Sequence, residues 1–182
     1  MAVLVVEDGT GLANANSYLT TAEALAIFDV KPTQLAAFTA LADDATRDNY
    51  LIWASDWIDD YMDFKGYKTV ETSGLRWPRC GVYDCDGILV DENTVPQQLK
   101  QAVAELAVWL INNDAANTGG ESSNLPEGIK RVKADVVEVE FFESGSADSQ
   151  SGSDLLPVNI RFLMRCFGKP IVGRQRFVPA VR

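Results

Sequence analysis

Two stretches of this chain have the periodicity of amphipathic helices, and they constrain the fold more than any other feature. Between Ala45 and Phe64, Tyr50, Leu51, Ala54, Trp57, Ile58 and Tyr61 recur at three- and four-residue steps, which places them on one apolar face. From Pro96 to about Asn112, Leu99, Val103, Leu106 and Leu110 do the same, with Pro96 at the tolerated first helical position. These two helices are expected to form the core pair. With 182 residues, the chain can bury one sizeable core around them.

Shorter elements are expected on either side. Val3 to Val6 reads as a short strand that stops at the glycines of Glu7-Asp8-Gly9-Thr10-Gly11. Thr20 and Glu23 have capping-box spacing before a helix from about Thr21 to Asp29, and a second helical piece runs from Thr33 to Leu41 after Lys31-Pro32. Ile129 to Phe142 alternates around Val132, Val137, Val139 and Phe141 and suggests a hairpin arm. Leu155 to Phe167 reads as a final helix. The expected architecture is therefore mainly α: a small helical bundle with a short N-terminal strand, a β-hairpin-like arm and an extended C-terminal tail. Residues 1–142 would form the core with its β arm, 143–153 a flexible Ser/Gly/Asp/Gln linker, and 154–182 a C-terminal helix and docking arm.

The charge is unevenly spread. The net value is -10, yet the 28 residues from Leu155 onward hold six basic side chains and no acid, leaving -16 on the rest. An acidic body repels phosphate at long range, whereas the basic tail can seek nucleic acid or an acidic protein surface. The acids of the first long helix, Asp56, Asp59, Asp60 and Asp63, are either a solvated face or a surface lining a channel. In the tail, Lys169, Ile171, Val172, Arg174, Arg176, Phe177, Val178 and Arg182 combine cations with apolar groups, a mixture expected to order on a partner.

The absence of histidine removes the commonest general base and every Ser-His or Cys-His pair, so no enzyme is expected. Cys80, Cys85 and Cys166 are expected as reduced thiols, with Cys166 packing in an apolar helix; no metal and no cofactor are expected. No stretch reaches the roughly 20 apolar residues of a membrane span, and Met1 to Val6 lacks a basic flank, so a soluble intracellular protein is expected.

One loop stands apart from the others. Leu75 to Gly87 is dense in turn formers, with Trp77 before Pro78, then Arg79, and Asp84, Asp86 and Gly87 suited to a tight turn. A structural role pins Trp77 against the core. Asp84-x-Asp86-Gly87 also has the start of a calcium loop without its later ligands, and aromatics beside Arg76 and Arg79 could stack on single-stranded bases.

Val5 to Tyr18, the Ala54-Ser55-Asp56-Trp57-Ile58-Asp59 helix, the Trp77-Pro78-Arg79 loop with Gly81-Val82 and Asp86-Gly87, and Val95-Pro96 opening a helix together resemble a phage protein family. Its members are labelled DnaT-like single-stranded-DNA-binding proteins, and in helical layout they resemble head-to-tail connectors. The resemblance covers roughly residues 3–112. It implies a structural subunit of a twelve-fold homo-oligomeric ring in the virion neck, assembled in the host cytoplasm. Such a ring would dock under a portal protein, meet tail or head-closure proteins, and pass duplex DNA without specific binding or any membrane contact. The alternative is a single-stranded-DNA-binding replication accessory protein. The acidic body, which would let a duplex slide through a ring, favours the connector on charge grounds.

Overall fold

The computed structural model describes residues 3–118, 131–134, 137–140 and 156–171. Helix α1 (Thr21–Phe28) begins at the expected capping box, where Thr20 Oγ1 accepts the Glu23 amide and the Glu23 carboxylate accepts the Thr20 amide. Helix α2 (Pro32–Thr39) opens on its proline. Helix α3 (Asp44–Tyr61) starts at Asp43, whose carboxylate accepts the Thr46 amide at 2.7 Å.

At Met62 the chain leaves the helix and becomes strand β1 (Met62–Phe64). Strands β2 (Tyr67–Lys68) and β3 (Arg79–Cys80) pair antiparallel, Tyr67 opposite Cys80. Helix α4 (Gln97–Thr118) runs on past Asn112, the end that its apolar periodicity suggests. Strands β4 (Arg131–Ala134) and β5 (Val137–Glu140) form the expected hairpin, Arg131 opposite Glu140. Helix α5 (Val158–Met164) and strand β6 (Gly168–Pro170) follow.

Helix α4 is the axis of the bundle and packs against α1, α2, α3 and α5. Its residues Leu99, Ala102, Val103, Leu106 and Ala107 are buried, a wide apolar surface that suits a helix enclosed by neighbours. Polar ties fasten the surrounding helices to it. The Lys100 ammonium donates to Glu23 of α1 at 2.6 Å, and Glu105 pairs with Lys31 while accepting from Asn159 of α5 at 2.7 Å. Burial pushes the Glu105 carboxyl up, but the bonds from Lys31, Gln101 and Asn159 together hold it below its ordinary range.

The structure corrects three expectations. The N-terminal segment pairs through a single parallel bridge, Val6 to Ser17, because Glu7 turns inward. The Glu7 carboxylate accepts the amides of Gly9, Gly11 and Leu12 at 2.7–2.9 Å, so this nest of N–H groups already holds an anion. Gly9 sits at φ +102°, and a Cβ there would meet the Asn93 carbonyl oxygen at 1.8 Å.

The second correction concerns the cysteines. Cys85 and Cys166 form a disulfide across 81 residues, which fastens the turn after β3 to the chain leaving α5; Cys80 alone is a free thiol. The third concerns the tail. Gly168 to Pro170 is no free arm: β6 lies antiparallel on β1, Phe64 opposite Gly168 and Met62 opposite Pro170, and the Ile171 amide donates to the Tyr61 carbonyl at 2.8 Å. Lys169 and Ile171 therefore belong to the body. Val172, Arg174, Arg176, Phe177, Val178 and Arg182, together with the 143–153 segment, lie outside the described residues.

Candidate nucleic-acid interface

The Trp77 loop is buried structure. The Trp77 side chain is fully enclosed, its indole N–H donates to the Thr94 carbonyl at 2.6 Å, and its ring meets Phe64 and Phe167 edge-on at 6.0 and 5.8 Å. Pro78 follows through a cis peptide bond and is buried. The Arg79 guanidinium donates to the carbonyls of Lys65, Phe64, Gly66 and Arg76 and lies over the Phe64 ring. Four of its five N–H donors are spent on the backbone, which leaves it little to offer a phosphate. Asp84 accepts the amides of Asp86 and Ile88, and Gly87 takes φ +80°, which makes this segment a self-contained turn.

Asp59 belongs to the same buried knot. Its carboxylate accepts the Tyr18 hydroxyl at 2.5 Å and the Arg76 amide at 2.8 Å, while the Trp77 amide donates to the Tyr18 oxygen at 3.2 Å. Burial raises the Asp59 carboxyl to about 6 against the lowering effect of those bonds, and burial and Asp59 together raise the Tyr18 hydroxyl well above its usual range. Asp56, Asp60 and Asp63 are exposed, so the four acids do not form one surface. Among the described residues no group of three potential ligands could hold a metal ion, and no helix is long and apolar enough to cross a membrane.

Exposed aromatic rings stand at Tyr67 and Tyr83 in loops and short strands, and on two helical faces with charge beside them. On α3, Tyr50, Trp53, Trp57 and Tyr61 form a row with centroids 5.5–6.1 Å apart, and Trp109 of α4 meets Trp57 edge-on at 6.2 Å. Asp56 and Asp60, three residues after Trp53 and Trp57, border this row. Such a border repels phosphate.

The other region is richer in cations, with one exposed acid, Asp63 of β1, opposite Lys169 of β6. Ile160 and Met164 bury one face of α5 against the core and leave Val158, Arg161, Phe162 and Arg165 to line an open groove of about 450 Å³ closed by Pro170 of β6. Phe162 is 62% exposed, an uncommon state for a large ring, and Arg165 and Lys169 are exposed near it in sequence. The described segment from Leu156 to Ile171 contains no acid. Guanidinium groups beside an open ring are the residue types that contact a phosphate and stack on its base. The signal lies in the sequence as Arg161, Phe162 and Arg165 at helical spacing in an acid-free run, masked by the denser group of arginines that follows.

A family described as "Putative DnaT-like ssDNA binding protein" matches residues 2–176. No curated protein and no solved structure matches. The family match overturns the expectation of a head-to-tail connector ring: the description along nearly the whole chain names single-stranded-DNA binding, the alternative that the acidic net charge had disfavoured. The physical reason is that net charge averages over regions of opposite sign, and a binding face responds to its local field.

Proposed function

Because the chain belongs to the DnaT-like single-stranded-DNA-binding family, we propose that it binds single-stranded DNA through the groove between α5 and β6. The observation that carries this reading is the open Phe162 ring set between Arg161 and Arg165 in a segment without acids. Phe162 offers a stacking platform to one unpaired base, while the exposed Arg165 and Lys169 neutralise the backbone beside it. A duplex keeps its bases stacked inside and would engage only the cations, so the single strand is preferred.

Titration of a fluorescein-labelled oligothymidine near physiological salt, followed by anisotropy, tests this. The expected dissociation constant is in the range of about 1 to 100 μM, with a log-log salt slope of about -1.4 for two phosphate contacts on a single strand. Phe162→Ala should weaken binding about tenfold, the lower part of the range for loss of one stacked base. Absence of binding, or equal affinity for a duplex of the same length with no effect of Phe162→Ala, would overturn the proposal.

A further inference from the structure

The α3 aromatic row is a poor DNA surface but a good surface for arginine. Trp53 and Trp109 remain 41% and 37% exposed, a large investment of indole surface in solvent. Asp56 and Asp60 stand one helical turn apart beside them. The Trp57 indole N–H is buried without an acceptor among the described residues. Open indole faces bordered by carboxylates suit a guanidinium, which can stack on a ring while bonding an acid at its edge. A backbone carbonyl brought by the same segment could take the Trp57 proton.

The register of β6 indicates where such a segment comes from. Because β6 runs antiparallel to β1 and the Ile171 amide bonds the Tyr61 carbonyl, the chain leaves the described region beside Tyr61, at the end of the aromatic row. The sequence that follows holds Arg174, Arg176, Phe177 and Arg182 and no acid. An extended chain advances about 3.3 Å per residue and a helix about 1.5 Å. From Ile171, Arg174 therefore reaches up to about 10 Å and Arg176 up to about 17 Å, enough to span the roughly 8, 12 and 17 Å that separate Asp56, Trp53 and Tyr50 from Tyr61 along α3.

The geometry points to the aromatic and acidic face of α3 and α4 as the docking site of this chain's own residues 172–182. The proposal is independent of DNA binding, and its test uses no DNA. Three of the four tryptophans, Trp53, Trp57 and Trp109, stand on this face and the fourth, Trp77, is fully buried, so acrylamide quenching of tryptophan emission reports the face alone.

The full chain is compared with a chain ending at Ile171, which keeps β6, and equal far-ultraviolet circular dichroism checks that both are folded. Truncation should raise the quenching constant about twofold. A synthetic peptide of residues 172–182, added to the truncated chain, should bind saturably and restore protection. The peptide with Arg174→Ala and Arg176→Ala, or the truncated chain with Asp56→Asn and Asp60→Asn, should bind at least about tenfold more weakly, a loss consistent with desolvated cation–π and charge pairs. Unchanged quenching on truncation together with no peptide binding would overturn the proposal. So would protection in the full chain that vanishes on dilution, which would assign the face to a second copy.

Discussion

The Trp77 knot and the α5–β6 groove are built from the same kinds of residue and do opposite things. One combines Trp77 with Arg76 and Arg79; the other combines Phe162 with Arg161 and Arg165. In the knot the ring is sealed against Phe64 and Phe167, and four of the five Arg79 donors go to backbone carbonyls. In the groove the ring is 62% exposed and Arg165 faces solvent. The difference teaches that an aromatic between arginines carries no function by itself; what the surrounding backbone leaves unsatisfied decides whether the group holds the fold or meets a ligand.

The sharpest way to break the comparison is to truncate each ring in turn. Trp77→Ala should cost about 4 kcal/mol of stability, as for other buried large aromatics. Phe162→Ala should move stability by less than about 0.5 kcal/mol. Urea denaturation of both variants checks this, and equal losses would erase the distinction between the two regions.

The disulfide joins the two regions, since Cys85 follows the knot and Cys166 follows α5. Cys85→Ser should lower stability by about 3 kcal/mol, within the usual range for a native disulfide. DNA affinity should change by less than about twofold, because Ile160 and Met164 still seat α5 on the core. A tenfold loss of affinity in a folded Cys85→Ser protein would show that the crosslink, not the helix packing, holds the groove.

Asp59 sharpens the account of the knot through pH. Its carboxyl is raised from 3.8 to about 6 by burial, so between those values the folded protein holds a proton that the unfolded chain has released. The sign is that ionised Asp59 lowers stability near neutrality, and stability recovers as pH falls through about 6. From pH 7 to pH 5 the gain should be about 1 kcal/mol. Glu23 and Glu105 are shifted the other way, and their contribution is lost only as pH falls below their ordinary range near 4.5. Asp59→Asn should flatten the rise between pH 7 and pH 5 and leave the acid limb in place; an unchanged profile would remove Asp59 as its source.

Local periodicity made the helices legible before any coordinates. The Thr20 and Glu23 capping box and the apolar steps of α3 and α4 are near-neighbour signals, and the structure places them as expected. What was not legible depends on contacts distant in sequence. Gly168 has no pattern that announces Phe64 as its partner, Cys85 and Cys166 carry no mark of pairing, and Asp59 is the same residue type as its exposed neighbours Asp56 and Asp60. The candidate site fell between these cases. Its arginines and ring were readable, but its exposure follows from which face Ile160 and Met164 bury, and the total charge of -10 argued in the wrong direction.

If the single strand lies on α5 and β6 as proposed, photo-crosslinking locates it there directly. An oligonucleotide carrying bromodeoxyuridine is irradiated with the full chain, and the adducts are mapped by mass spectrometry after proteolysis. Crosslinks should concentrate on Phe162 and its neighbours between Leu156 and Ile171 and fall sharply in Phe162→Ala. Adducts concentrated on Trp53 or Trp109 instead, with none in that segment, would contradict the account and move the DNA to the acidic face.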